Sequence, residues 1–126
     1  MIRAVNPSAV LTSPYYSQGA EVRGAERLLF VSGQVGVDTD GAVQDGIEGQ
    51  SRQAAANLGA VLAEAGMSVD DLAKLTIYLT DPAHVPGFMA GAGGALPTPP
   101  PATTLLMVHQ LASPDLLVEI EAVAAR

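Results

Sequence analysis

Two glutamates near the end of the chain are the strongest candidates for acid–base chemistry. Glu119 and Glu121 are two residues apart, so on a strand both carboxylates project from one face, about 7 Å from each other, a separation that a catalytic pair can use. The opposite face would carry Val118, Ile120 and Ala122. Apolar Leu117 and Val123 share the glutamate face, which predicts partly desolvated carboxylates able to exchange a proton with bound water. A strand face turned to solvent is the simpler interpretation.

Other small clusters could contribute to a binding site. Gly33 follows Ser32 at the end of an apolar segment, where a ligand could approach the backbone closely, although a β-bulge is the more common reason for such a glycine. Tyr15 and Tyr16 are adjacent, so on a strand they face opposite ways, and one of them could be a site residue. Each cluster alone is weak evidence.

Several kinds of site are absent from the sequence. There is no cysteine, which excludes thiol nucleophiles and thiolate metal sites. His84 and His109 are too far apart in sequence to form a local ligand pair, and no serine-hydrolase, zinc-protease or phosphate-loop motif occurs. We therefore expect neither a metal nor a cofactor.

The charge balance bears on partners and location. Six basic residues against thirteen acidic ones give a net charge of −7, so nucleic-acid binding, which needs clustered cations, is not expected. The uncharged stretch 82–114 is rich in proline and cannot be a membrane helix. The first residues hold no apolar run of signal-peptide length, which predicts a cytoplasmic protein. The length of 126 residues predicts one domain, residues 1–126.

Hydrophobic periodicity predicts the elements that would position these residues. A 3.6-residue apolar period favours a helix over 47–65, closed by Gly66. Alternation and β-branched residues favour strands over 15–22, 27–34, 72–80, 103–111 and 116–124, with at most a short irregular helix around 84–90. The first two strands are expected to form a hairpin through 23–26. A right-handed crossover is expected to pair the second and third strands in parallel. The resulting order, ββαβ(α)ββ, indicates an α+β sandwich.

Taken in order, a set of segments resembles the RidA/YjgF family of enamine/imine deaminases. The matching segments are 16–18, 29–34, Gln53 with 57–58, 74–81, 101–102 and 117–124. The resemblance covers nearly the whole chain. It implies a chorismate-mutase-like fold and a homotrimer with a central β-barrel, with three small-molecule clefts between subunits. Apolar positions on both sheet faces independently favour contact with a further copy.

The same resemblance assigns roles to individual residues. Glu119 matches the glutamate that positions or activates water, Tyr16 and Ser32 match cleft residues, and Leu105 matches a position whose backbone contacts that water. Thr103 stands where active relatives have an arginine that grips the substrate carboxylate. Exchanging a guanidinium for one hydroxyl should cost about 2–4 kcal/mol of carboxylate binding.

These observations lead to a ranked set of functions. The leading hypothesis is metal-free hydrolysis of an imine or enamine other than the usual 2-iminopropionate, with Glu119 as the catalytic residue and Tyr16, Ser32, Gly33, Thr103 and Leu105 binding the substrate. The alternative is a non-catalytic trimer that binds a ligand or a partner, which the loss of the arginine favours. Endoribonuclease activity, sometimes ascribed to this family, fits poorly with the acidic composition.

Overall fold

The computed structural model describes residues 1–126, which form six strands and two α-helices. The strands are β1 (Ile2–Val5), β2 (Gly19–Val22), β3 (Leu28–Val35), β4 (Leu72–Leu79), β5 (Ala102–Met107) and β6 (Val118–Ala125). The helices are α1 (Gly46–Glu64) and α2 (Val85–Ala92). The α+β class predicted from the sequence is confirmed. Neither helix combines the length and the apolar character needed to cross a lipid bilayer.

A four-stranded sheet in the order β3-β6-β4-β5 forms the centre of the fold. Strand β6 is antiparallel to both β3 and β4, and β5 is parallel to β4, so the sheet is mixed. The expected direct pairing of β3 with β4 is wrong. The two strands do run in the same direction, because a crossover helix fixes the direction of the strands that it connects. The crossover does not require the two strands to be neighbours, and β6 lies between them.

The beginning of the chain forms a separate two-stranded sheet. Strand β2 pairs antiparallel with β1, and Arg3 lies opposite Glu21. The predicted hairpin between β2 and β3 is therefore wrong. Strand β1 was missed because four residues are too few to show a period. The segment before β2 also departs from a regular strand, since Ser17 makes an isolated parallel bridge to Ala102.

Helix α1 packs on the inner face of the sheet. Its buried apolar side chains are Ala54, Leu58 and Leu62, which belong to the same core cluster as Leu75 and Ile77 of β4 and the inner residues of β6. The helix ends within one residue of the prediction. Gly66 follows it with a φ of 69°, a conformation that favours glycine, and Met67 N–H donates to the carbonyl of Leu62 at 2.8 Å.

Helix α2 confirms the short helix expected in the glycine- and proline-rich segment. It is flanked by 3₁₀ turns at Pro82–His84 and Gly93–Ala95, and it packs on α1. Phe88 and Ala92 are its buried residues. Helix α1 thus covers one face of the sheet with α2 packed beside it, and the other face is left open.

Three side-chain amides on α1 fix the backbone on both sides of the candidate glutamates. Asn57 donates to the carbonyls of Val35 and Val37, both at 3.0 Å, and its own carbonyl accepts from Gln53 at 2.8 Å. Gln50, which is 2% exposed, donates to the Asp115 carbonyl at 3.0 Å and accepts from Leu117 N–H at 2.8 Å. These bonds determine where β3 ends and where β6 begins.

The Gln50 amide should therefore contribute measurably to stability. We expect Gln50→Ala to lower the free energy of unfolding by about 2–3 kcal/mol, because it removes two hydrogen bonds and leaves a carbonyl and an N–H unpaired below the surface. Urea denaturation measures the change. The matched control is Arg52→Ala on the same helix, which removes an exposed ion pair with Glu48 and should cost less than about 0.5 kcal/mol. Equal losses in the two variants would contradict the role assigned to Gln50.

Candidate functional site

The two faces of β6 differ as the sequence predicts. Val118, Ile120 and Ala122 are at most 5% exposed and pack into the core, whereas Glu119 and Glu121 are half-buried on the open face of the sheet. The neighbouring strands present Tyr78 opposite Glu119 and Val35 on its other side. Both carboxylates therefore lie on an interior strand of the sheet, and Glu119 is near the end of the sheet where β3 and β4 end and β6 begins.

A β-bulge in β3 brings the backbone of Gly33 to Glu119. Val31 pairs with Ala122 and Gln34 pairs with Ile120, so Ser32 and Gly33 together lie opposite a single residue of β6. A methyl group built on Gly33 would lie 2.8 Å from Cγ of Glu119 and still closer to its carboxylate. The carboxylate of Glu119 thus occupies space that any other residue at position 33 would fill with its Cβ. Ser32, one residue before, is exposed.

The two glutamates of β6 differ in their hydrogen bonding. The Tyr78 hydroxyl donates a hydrogen bond to Oε1 of Glu121, whereas no group of the chain donates to the carboxylate of Glu119. This hydrogen bond raises the pKa of Tyr78 above its usual range, and burial and the charges of both glutamates act in the same direction. Tyr78 therefore stays protonated at neutral pH and acts as a donor. Glu119 is the carboxylate left free for a ligand or water.

Sequence reasoning missed Tyr78 as a functional candidate. The alternation of β4 places Lys74, Thr76 and Tyr78 on one face, but only the strand order shows that this face is continuous with that of Glu119. Lys74, the single lysine of the chain, lies on the same face and donates from Nζ to Oγ1 of Thr104 at 2.7 Å. The open face thus carries one ammonium group, and that group already has a partner.

The remaining candidates collect around the start of β5. Ser17 N–H donates to the Pro101 carbonyl at 3.1 Å, which holds the adjacent Tyr16 beside this end of the strand. The Thr103 hydroxyl donates to the same carbonyl at 3.1 Å. Leu105, further along β5, is 39% exposed. Tyr16 and Thr103 are thus close in the fold, and their role in binding a substrate stays a prediction.

A single copy of the chain does not bring Glu119 and Thr103 together. In the strand register Thr103 aligns with Leu75 and Ala122, on the helix side of the sheet, whereas Glu119 lies on the open side. Strand β5, which carries Thr103, lies two strand spacings from β6, and Glu119 is three residues along β6 from the register position of Thr103. The two backbones are therefore about 14 Å apart. One pocket that contains both residues therefore requires a second copy of the chain.

The acidic and histidine side chains form no group that could hold a metal ion. No three His, Asp or Glu side chains come together in that way. His84 lies in the 3₁₀ turn before α2, and its Nδ1 is buried without a hydrogen-bond partner. It lies outside both groups of candidate site residues.

Comparisons with known proteins agree on one family. A sequence model of the family described as endoribonuclease L-PSP matches residues 7–126. A RutC family protein of Pyrococcus horikoshii is 34% identical over 111 residues, which is 86% of this chain and 85% of that protein. The crystal structure of the Rid family protein YyfB of Yersinia pestis superposes with a TM-score of 0.86 at 33% identity and covers 99% of this chain and 98% of that one. The mouse 2-iminobutanoate/2-iminopropanoate deaminase is 37% identical over 68 residues, 52% of this chain and 48% of that protein.

The close approach of Glu119 to Gly33 can be tested without an activity assay. We expect Gly33→Ala to fold, because φ at position 33 is negative and the overlapping atoms are at the end of a flexible side chain. The carboxylate of Glu119 should move away from its present position, which a crystal structure of the variant would show. Gly59→Ala is the control: its Cβ meets nothing within 4 Å, and it should raise the free energy of unfolding by about 0.5–1 kcal/mol. An unmoved Glu119 in Gly33→Ala would contradict the proposed packing.

Proposed function

The chain belongs to the RidA/YjgF family, and from this membership we propose that it hydrolyses the C=N bond of a small imine, with Glu119 as the working carboxylate. Water adds to the imine carbon while the Glu119 carboxylate takes up its proton. That proton is delivered to nitrogen, which gives a neutral carbinolamine. The second proton of the water then moves from the new hydroxyl to the amine nitrogen, the C–N bond breaks, and the products are a carbonyl compound and ammonia. An enamine reaches the same path after a proton is added at its β-carbon and one is lost from its nitrogen, which gives the imine. Neither route changes the oxidation state of the substrate or of the protein.

One observation carries this proposal: the Glu119 carboxylate is half-buried, accepts no hydrogen bond from the chain and lies against the bare backbone of Gly33. A carboxylate in that setting can accept a proton from a water molecule that it positions. The similarity to the mouse 2-iminobutanoate/2-iminopropanoate deaminase supports the reaction class.

Thr103 supports a substrate that differs from the usual imino acid. Its hydroxyl proton is donated to the Pro101 carbonyl, so it offers no free donor to a substrate carboxylate. Lys74, the ammonium group of the open face, is bound to Thr104. We therefore propose a neutral or weakly anionic imine or enamine, for which the absence of a guanidinium costs little.

We further propose that the protein works as a homotrimer with its clefts between subunits. The placement of Glu119 and Thr103 on opposite faces of the sheet supports an assembly in which each cleft lies between two subunits. One of these subunits would contribute Glu119 and the other would contribute Thr103. The edge strands β3 and β5 also favour contact with another copy, since Phe30 is 74% exposed and Leu106 is 45% exposed.

A second candidate function is a non-catalytic trimer that binds a ligand or a partner, and Thr103 is the observation that favours it. The name of the matching family model refers to a ribonuclease. Ribonuclease activity fits this chain poorly, because six basic residues against thirteen acidic ones give little means of binding phosphates.

The role of Glu119 is tested by its isosteric amide. We expect Glu119→Gln to reduce ammonia release from freshly generated imines by at least about a hundredfold, because the amide cannot take up a proton. Imines with and without a carboxylate should be compared, with a coupled assay for ammonia. The control is Glu64→Gln on the exposed side of α1, which should leave the rate unchanged. Equal rates in wild type and Glu119→Gln would remove this residue from the mechanism.

The role of Thr103 is tested by restoring the guanidinium. We expect Thr103→Arg to raise kcat/KM for 2-iminopropionate by roughly thirtyfold or more, which corresponds to about 2 kcal/mol of added carboxylate binding. Thr103→Gln, a long neutral side chain, is the matched control and should give no such gain. If wild type is inert with every imine and Thr103→Arg is active, the second candidate function is favoured. If Thr103→Arg is inert as well, the loss of the arginine does not account for the inactivity.

A further inference from the structure

The polar side chains on the open face of the sheet differ in whether they have a hydrogen-bond partner, although Glu119 and Glu121 have similar positions in the sequence. Both lie on β6, two residues apart, and both are half-buried. Glu121 is held by the Tyr78 hydroxyl, and Lys74 is held by Thr104. Among these groups, the Glu119 carboxylate is the one without a partner.

The register explains how Tyr78 separates the two glutamates. The Cα partner of Tyr78 on β6 is Glu119, and the partner of Glu121 is Thr76, two residues earlier on β4. The Tyr78 hydroxyl therefore donates to a glutamate two residues along β6 from its own Cα partner. One side chain thus lies opposite Glu119 in the register and is hydrogen-bonded to Glu121.

We propose that Tyr78 is a positioning residue that holds the Glu121 carboxylate away from Glu119, so that Glu119 alone exchanges a proton at the Gly33 bulge. Tyr78 acts through Glu121 and does not touch the substrate. Without its hydroxyl, Glu121 is free to swing toward Glu119, and the two carboxylates would then share one proton or one water molecule. This inference rests on the function proposed above for Glu119.

Three groups besides the two glutamates surround Tyr78. Lys74 and Thr76 share its face of β4, and Leu106 is its Cα partner on β5. The Cα partner of Lys74 on β6 is Val123, two residues from Glu121 and four from Glu119. Its ammonium group donates to Thr104 and not to Glu121, so the Tyr78 hydroxyl is the group that holds the Glu121 carboxylate. The proposed separation of the glutamates therefore depends on the phenol.

The kinetic test is a double-mutant cycle on imine hydrolysis. We expect Tyr78→Phe to lower kcat about tenfold with little change in KM, because the group it removes does not contact the substrate. Glu121→Gln alone should have a small effect, since an amide carbonyl still accepts from Tyr78. The double variant Tyr78→Phe/Glu121→Gln should recover to within about threefold of Glu121→Gln, because no freed carboxylate remains. A merely structural role of Tyr78 would give no such rescue.

The matched control is Tyr15→Phe, which removes a phenol hydroxyl from a side chain that is 63% exposed. It should leave kcat, KM and the melting temperature unchanged. A double variant as slow as Tyr78→Phe, or a Tyr78→Phe variant as fast as wild type, would overturn the proposal.

A second readout separates this inference from the proposed function. In carbon-13-labelled protein at neutral pH, the signal of the Glu119 carboxyl carbon should shift little when Glu121→Gln is introduced alone. It should shift at least about three times more when the same change is made in the Tyr78→Phe background, where Glu121 is no longer held. Equal shifts in the two backgrounds would overturn the positioning role, whatever the activity. Normal ammonia release by Glu119→Gln would instead refute the catalytic role on its own.

Discussion

The burial of one face of β6 is the constraint on which the rest of the structure depends. Val118, Ile120 and Ala122 form part of the core beneath α1, and a strand cannot bury these residues without turning Glu119 and Glu121 to the other side. Because β6 is also a central strand, its register fixes β3 on one side and β4 on the other. A slip of one residue would place two carboxylates in the core, so packing energy holds the candidate chemistry in place.

Local irregularity then adapts this regular sheet to the site. The bulge at Ser32 and Gly33 gives β3 one extra residue where it passes Glu121, and the missing side chain of Gly33 leaves room for the carboxylate of Glu119. The amides of Gln50 and Asn57 tie down the backbone at the start of β6 and the end of β3. The environment of Glu119 is therefore defined by backbone and helix contacts rather than by charged neighbours.

The features predictable from sequence were those encoded within a few neighbouring residues. The α1 period, its closure at Gly66 and the alternation of β6 all follow from local spacing, and the structure confirms them. Strand order did not follow, because the crossover between β3 and β4 says nothing about the later strand that lies between them. Tyr78 and Gln50 were missed for the same reason, since their partners lie 43 and 65–67 residues away in the chain. The resemblance grouped Glu119 with Thr103, but only the register reveals that they face opposite ways.

The engagement of Lys74 by Thr104 has a consequence for how this chain can be modified. Every other cationic side chain in the sequence is an arginine, so acetylation, glycation or any amine-directed cross-linking of a lysine side chain has a single target. That target is half-buried on the face that bears both carboxylates, and its nitrogen is hydrogen-bonded. Such a modification would act on the electrostatics of the open sheet face itself rather than on a remote part of the surface.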